Sequence, residues 1–374
     1  MKYYIISGEA SGDLHGSNLV RALRAEDPSA QIRAWGGDLM QAAGADIVRH
    51  YRDLAFMGFV EVARNLPTIL GNLRFCKRDI EAFDPDAVIL IDYPGFNLRI
   101  ASWCRKKGYK TFYYISPQVW AWKEARVKSI RKNVDHMLVI LPFEQDFYRR
   151  HHYAVDYVGH PLLDALARRE PVQEDDFRRR QGLDERPVVA LLPGSRVQEI
   201  RAMLPVMVRM AEEFPQYQFV VAATPAQSPE MYRQIIAGRD VKTVTDRTYD
   251  LLSISHAALV TSGTATLETA LLGVPQVVCY KGSPISYFIG RMVVKVPFIS
   301  LVNLIAGREV VRELIQGAMN REELVRELRK ILSGENRERM LSDYRALRHL
   351  LGDGGASRRA AELIVNRLRD PQVR

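Results

Sequence analysis

Residues 87–97 read AVILIDYPGFN: five apolar residues in a row, then an aspartate, then a Pro-Gly turn. An unbroken apolar run of this length, bounded by turn residues, is the pattern of a strand buried on both faces, and such strands belong to parallel sheets covered by helices. Asp92 therefore falls at the carboxyl end of a buried parallel strand, the position from which α/β sheets present reactive groups. Outward from it the same grammar repeats. Tyr3–Ser7, Gln31–Trp35, Thr111–Ile115 and Met137–Leu141 are short β-rich runs, each followed by helical periodicity or a Gly/Pro turn. After a strongly charged stretch, DALARREPVQEDDFRRRQGLDER (164–186), the pattern restarts with PVVALLPGS (187–195), QFVVAA (218–223), AALVTSGT (257–264) and PQVVCY (275–280). Strands alternating with helices place the chain in the α/β class, as two doubly wound domains. The expected divisions are 1–165, 166–345 and a C-terminal helical segment, 346–374, that runs back to the first domain or to a partner subunit of a homodimer. Beyond residue 305 only amphipathic helices are expected, with no further strand.

Composition narrows the class. The 374 residues are 47% hydrophobic and 26% charged, enough to build more than one core. No run of 18 apolar residues occurs, and the N-terminus MKYYIISGEASGD passes straight into a strand-like run, so the expected compartment is the cytoplasm. Cys76, Cys104 and Cys279 lie far apart without metal-ligand spacing and read as core thiols. The net charge of +9 favours an anionic partner. Nucleic acid is not expected to be that partner, because aromatic and basic residues do not alternate as a stacking platform requires.

Four strand exits carry the polar residues. The first, SGEASGD (7–13), has small residues that let a ligand approach the backbone, with Glu9 facing a cleft between the domains. Asp13 reads either as a ligand contact or as an N-cap. No G-x-G-x-x-G and no P-loop is present, which disfavours a dinucleotide or ATP cradle. The second exit bears Asp92, whose desolvation would raise its pKa and suit it to accept a proton from a hydroxyl nucleophile. Asp84-Pro85-Asp86 lies before that strand, at the wrong end of the sheet, and reads as a turn. In the second half, Gly194, Ser195 and Arg196 bring amides, a hydroxyl and a guanidinium to a helix start where a diphosphate can sit; a structural Arg196–Glu199 pair is the alternative. The fourth exit, Ser262-Gly263-Thr264, is followed one helical turn later by Glu268, a carboxylate suited to a vicinal diol. His15, His160 and His256 are read as turn-adjacent, no metal ligand set is found, and no bound metal or cofactor is expected.

The stretch 54–83, LAFMGFVEVARNLPTILGNLRFCKRDIEAF, is apolar and punctuated by Arg and Lys. It reads as core or as a segment lying in a lipid interface.

The motifs SGEASGD (7–13), MGFVEV (57–62), IDYPGFN (91–97), YISPQVWAW (114–122), LPFE (141–144), VGHPLLD (158–164), LLPGSR (191–196), SGTATLE (262–268) and SLVNLIAGRE (300–309) occur in the order seen in lipid-A-disaccharide synthases, and the resemblance covers nearly the whole chain. It implies a GT-B fold, two Rossmann-like domains facing across a cleft, and an inverting, metal-independent glycosyltransferase. The implied reaction moves 2,3-diacylglucosamine from UDP-2,3-diacylglucosamine to the 6-hydroxyl of 2,3-diacylglucosamine 1-phosphate, with UDP as part of the donor rather than a cofactor. Asp92 matches the general base and Glu9 an acidic residue of the cleft; Gly8, Ser11, Asp13 and Asn97 fall on the acceptor side. Gly194, Ser195, Arg196, Ser262, Gly263 and Thr264 match the diphosphate contacts, Glu268 the ribose contact, and Asn303 a polar cleft residue. Met57, Phe59, Val60, Val62, Leu66, Ile69 and Leu70 resemble a hydrophobic patch by which such enzymes dock on the cytoplasmic face of the inner membrane. Gly95 and Val302 depart from the family's usual Asp and Pro. A UDP-N-acetylglucosamine epimerase, a peptidoglycan N-acetylglucosaminyl transferase, a non-catalytic nucleotide-sugar sensor or membrane-bound scaffold, and a basic nucleic-acid-binding protein are the rival readings.

Overall fold

The computed structural model describes residues 1–54, 66–122, 124–282 and 296–370, apart from the side chains of Leu54, Leu66 and Trp122. Two compact units result: Met1–Arg169 together with the chain from Leu351 onward, and Glu170–Leu350. The terminal helix Ala356–Arg369 belongs to the first unit, where it packs on the helix Ala10–Glu26.

The first unit is built on seven parallel strands: β1 (Lys2–Ile6), β2 (Gln31–Gly36), β3 (Asp46–His50), β4 (Ala87–Ile91), β5 (Thr111–Tyr114), β6 (His136–Val139) and β7 (Asp156–Tyr157). Their spatial order is β3-β2-β1-β4-β5-β6-β7. Strands therefore run outward in both directions from the β1/β4 pair, where Ile6 sits opposite Leu90. This reversal point is where a crevice opens at the carboxyl ends of a doubly wound sheet. The exits carrying Glu9 and Asp92 follow those two strands. In the second unit the strands are β8 (Val188–Leu192), β9 (Gln218–Ala223), β10 (Val241–Thr245), β11 (Ser255–Thr261), β12 (Gln276–Tyr280) and β13 (Glu313–Ile315), in the order β10-β9-β8-β11-β12-β13. The reversal falls between β8 and β11, the strands that deliver Ser195-Arg196 and Ser262-Gly263-Thr264.

β1, β2, β4, β5, β6, β8, β9, β11 and β12 start or end within a residue or two of the runs read from sequence. The four that were not expected, β3, β7, β10 and β13, are the four edge strands. Edge strands are short and carry polar residues on their open side, which removes the apolar signature. β10 shows it: in VKTVT the Lys, both Thr and their faces are exposed except at Val241 and Val244. β13, three residues long, corrects the expectation that no strand lies beyond residue 305. The charged stretch after Asp164 holds two short helices, Pro161–Ala167 and Glu174–Gln181, rather than an irregular linker. His15 likewise lies inside the first helix, not at a turn, and burial pushes its imidazole down to about 4. The three cysteines are buried free thiols.

Asp164 ties the terminal helix to the first unit. Its carboxylate accepts from the backbone N–H of Gly355 (2.5 Å), Ala356 (3.3 Å) and Ser357 (2.8 Å), the amides a helix start leaves without intrahelical partners. Arg359 adds a bond to the Val158 carbonyl and Arg367 an ion pair to Asp156. Asp164→Ala should cost about 1–2 kcal/mol of local stability. Hydrogen exchange should quicken in residues 356–369 while the second unit's protection is unchanged.

Candidate active site

The β4 exit has an unusual backbone. Asp92 and Tyr93 both stand in the left-handed region, with φ of 43° and 48°. For an aspartate this is tolerable, but for a tyrosine it costs about 1–2 kcal/mol, and such conformers persist only where the surroundings hold them. Here they are held. The Tyr93 ring stacks on Phe96 (5.5 Å) and lies against Gly8, where an added Cβ would come within 2.5 Å of it. The Tyr93 carbonyl accepts from Phe96 N–H and Asn97 N–H, closing the turn that Pro94 opens. Asn97, fully buried, donates through Nδ2 to the carbonyls of Ile6, Ile91 and Asp92, tying the ends of β1 and β4 together.

This puts the Asp92 carboxyl beside Glu9, which occupies the N-cap position of the first helix. Burial, with the neighbouring Glu9 charge second, pushes the Asp92 carboxyl up to about 7, against a smaller lowering by the Tyr93 amide. A carboxylate with that pKa is half ionised near neutrality and matched to proton transfer. Ser11 is exposed on the same helix start. Gly95 stands in open space, so its missing side chain removes no packing.

Asp13 takes a capping role, though for a helix other than its own. It is buried, and its two oxygens accept from Gly37 N–H (2.8 Å), Leu39 N–H (3.1 Å) and Met40 N–H (3.0 Å), the amides at the start of the short helix Asp38–Ala42.

In the second unit, Gly194 (φ 98°) turns the chain out of β8 and into the helix Val197–Met207. Glu199 folds back on this turn: its carboxylate accepts from Ser195 N–H (3.3 Å), Arg196 N–H (3.4 Å) and the Arg196 guanidinium (3.1 Å). The structural Arg196–Glu199 pair is therefore present. Arg196 is nonetheless 61% exposed, and an ion pair so solvated holds its partner weakly, leaving the guanidinium available to a stronger anion. At the β11 exit, Ser262 donates its hydroxyl to the Ile299 carbonyl, while Gly263 and Thr264 are exposed at the start of the helix Thr264–Leu271. Glu268 lies one turn on, largely buried, accepting from the Tyr249 hydroxyl at 2.8 Å; burial raises its pKa.

Asn303 is likewise engaged by its own surroundings. Its amide donates to the Val311 carbonyl and Glu313 and accepts from Val310 N–H and Val311 N–H, all at 2.7–3.0 Å in a fully buried setting. Glu313 in turn accepts from Ile299 N–H and Ser300 N–H. The pair organises the chain leading into β13, with no donor or acceptor of Asn303 left over. Of the apolar patch, Met57, Phe59, Val60 and Val62 lie outside the described residues, as does the Leu66 side chain; Leu70, on the helix Leu66–Phe83, is 43% exposed and Ile69 half-buried. No helix among the described residues is long and apolar enough to cross a membrane. Sequence reading missed Tyr249 and Glu313, since a tyrosine or glutamate partner set by tertiary packing leaves no local pattern.

The family model for lipid-A-disaccharide synthetase matches residues 3–366. The chain belongs to the lipid-A-disaccharide synthase family. Relatives of that name from Syntrophus aciditrophicus and Myxococcus xanthus are 43% and 41% identical, over 96% and 97% of both chains. Among solved structures, the UDP-GlcNAc 2-epimerase from Neisseria meningitidis bound to UDP-GlcNAc is similar at a TM-score of 0.69 (13% identity, 98% of this chain and 100% of that one), and the glycotransferase of kitacinnamycin at 0.67 (15% identity, 98% and 99%). At such identities the likeness shows the fold alone, which is GT-B, two Rossmann-like units. The enzyme is a glycosyltransferase of lipid A biosynthesis whose substrates are a UDP-sugar donor and a sugar acceptor.

Because Asn303 is spent on its own loop, Asn303→Ala should lower stability by about 1–3 kcal/mol while leaving UDP affinity within about twofold. Calorimetric titration with UDP alongside chemical denaturation distinguishes this from a nucleotide contact.

Proposed function

We propose that Asp92 is the general base of the family's transfer reaction. The acceptor is 2,3-diacylglucosamine 1-phosphate and the donor UDP-2,3-diacylglucosamine. Asp92 takes the proton of the acceptor's 6-hydroxyl as that oxygen attacks the anomeric carbon of the donor. The bond from that carbon to the diphosphate oxygen breaks, and UDP leaves with the electron pair. In-line attack gives inversion and a β-1,6 link. The observation that carries this reading is a carboxyl lifted to about 7 at the β4 exit, in a reversal-point crevice. Glu9 acts on Asp92 through its charge.

The UDP half of the donor is assigned to the second unit. Gly194, Ser195, Arg196, Ser262, Gly263 and Thr264 take the diphosphate, where two helix starts and a guanidinium offset the charge that builds on the leaving group. Glu268, aligned by Tyr249, accepts from the ribose hydroxyls. With the leaving group stabilised by these groups, the reaction needs no metal.

The test is a mass-spectrometric assay with both lipid substrates in detergent and EDTA. Wild-type protein should form the disaccharide phosphate, and Asp92→Asn should retain UDP binding with turnover lowered by about 100-fold or more. Since the base form is the ionised carboxylate, kcat should rise with pH through about 7 and level off above it. Near-normal turnover in Asp92→Asn removes the base assignment, and product formation abolished by EDTA removes metal independence.

Acylated substrates reside in a bilayer, and we assign the exposed face around Ile69 and Leu70 to contact with an anionic membrane surface, helped by Arg74, Lys77 and Arg78. Ile69→Ser with Leu70→Ser should reduce sedimentation with phosphatidylglycerol vesicles several-fold at an unchanged unfolding midpoint. Unfolding instead would mean that the face is core.

A further inference from the structure

The Asp92 carbonyl receives a second donor besides Asn97. Tyr113, on β5, directs its hydroxyl to that oxygen at 2.5 Å, against 2.8 Å for Asn97 Nδ2. The two donors come from different elements, the next strand in the sheet and the helix after the turn, and converge on one atom. Tyr113 is fully buried, and burial holds its phenol protonated far above the ordinary range, so the hydroxyl is a permanent donor. Its neighbour Tyr114 supplies the carbonyl that accepts from Asp92 N–H at 3.3 Å. β5 thus grips both the amide and the carbonyl side of Asp92, the residue that leads into the strained left-handed Tyr93.

We propose that Tyr113 is a positioning residue for catalysis: its hydroxyl clamps the Asp92 carbonyl and thereby holds the left-handed Asp92-Tyr93 turn that aims the carboxylate. This rests on the reading of Asp92 as base. Asn97 already satisfies the carbonyl once, and a buried tyrosine hydroxyl has many ways to find an acceptor. What singles out this contact is its target, the backbone of the reacting residue itself at the start of the strained turn, rather than a neighbour. Without the hydroxyl, Asp92 and Tyr93 relax toward ordinary backbone, and the carboxyl swings away from its buried position beside Glu9.

Tyr113→Phe removes only the oxygen. The expected result is a kcat lowered about 10- to 100-fold with the donor KM and UDP affinity unchanged, since a displacement of the reacting group of about 1 Å is enough for such a loss. The acid limb of the kcat profile should also move to lower pH, because a carboxyl leaving its desolvated site loses the main cause that raises it. Added to Asp92→Asn, the Phe substitution should cause no further loss, as both act through one group. Wild-type kcat and an unmoved acid limb, with or without a lower unfolding temperature, would overturn the proposal and leave Tyr113 a core residue. If Tyr113→Phe does not fold, Asn97→Ser, which removes the other donor to the same carbonyl, must show the same paired change in kcat and acid limb; an unmoved limb there overturns it equally. Full turnover in Asp92→Asn is a separate failure, that of the base itself.

Discussion

A parallel ladder buried on both faces has room for charged side chains only where its strands end. β1, β4, β8 and β11 are apolar and almost wholly buried along their lengths, so each polar residue that does chemistry is forced into the few positions after the last ladder bond. Strand order then selects among those exits. In each sheet the strand order reverses at the central pair, β1/β4 in one and β8/β11 in the other, and in doubly wound sheets a crevice opens at the carboxyl ends of the strands at such a reversal. The Glu9 and Asp92 loops in one unit, and the Arg196 and Ser262–Thr264 loops in the other, follow those central pairs.

Loops at such exits are crowded with backbone amides and carbonyls that the ladder no longer satisfies, and a large share of the polar residues there is consumed in satisfying them. Asp13 takes three amides, Asp164 takes three, Asn97 feeds three carbonyls, and Asn303 with Glu313 closes a whole connection. Asp13, Asn97 and Asn303 are as buried as the core around them, and Asp164 and Glu313 are half-buried. Each is engaged by backbone groups, so motif membership alone does not separate a ligand contact from a brace.

Asp13 and Asp92 show how far the same side chain can diverge within one sheet. Asp13 meets a cluster of N–H donors that take up both its oxygens. Asp92 is given a single opposing amide and a like-charged neighbour, so burial is left largely uncompensated and its proton affinity rises into the neutral range. The strained backbone that produces this setting is itself held by hydrogen bonds to the main chain, from Asn97 and Tyr113, so stabilisation of the fold and poise of the base draw on the same contacts.

The sequence by itself determined the α/β class, the doubly wound plan, the central strands and the address of Asp92, Arg196 and Glu268, because apolar runs, turn residues and helix starts are local patterns that report local structure. It did not reveal the edge strands β3, β7, β10 and β13, in which polar residues interrupt the apolar pattern or, as in β7 and β13, the strand is only two or three residues long, and it left open whether the terminal helix returns to the first unit or to a partner. Tertiary structure alone decided that Asp13 takes the amides of Gly37, Leu39 and Met40, that Tyr113 reaches the Asp92 carbonyl, and that Tyr249 reaches Glu268. Those are partnerships between residues far apart in the chain. Hydrogen-bond geometry and desolvation depend on what lies within a few ångströms, and no pattern of neighbours in sequence carries that information.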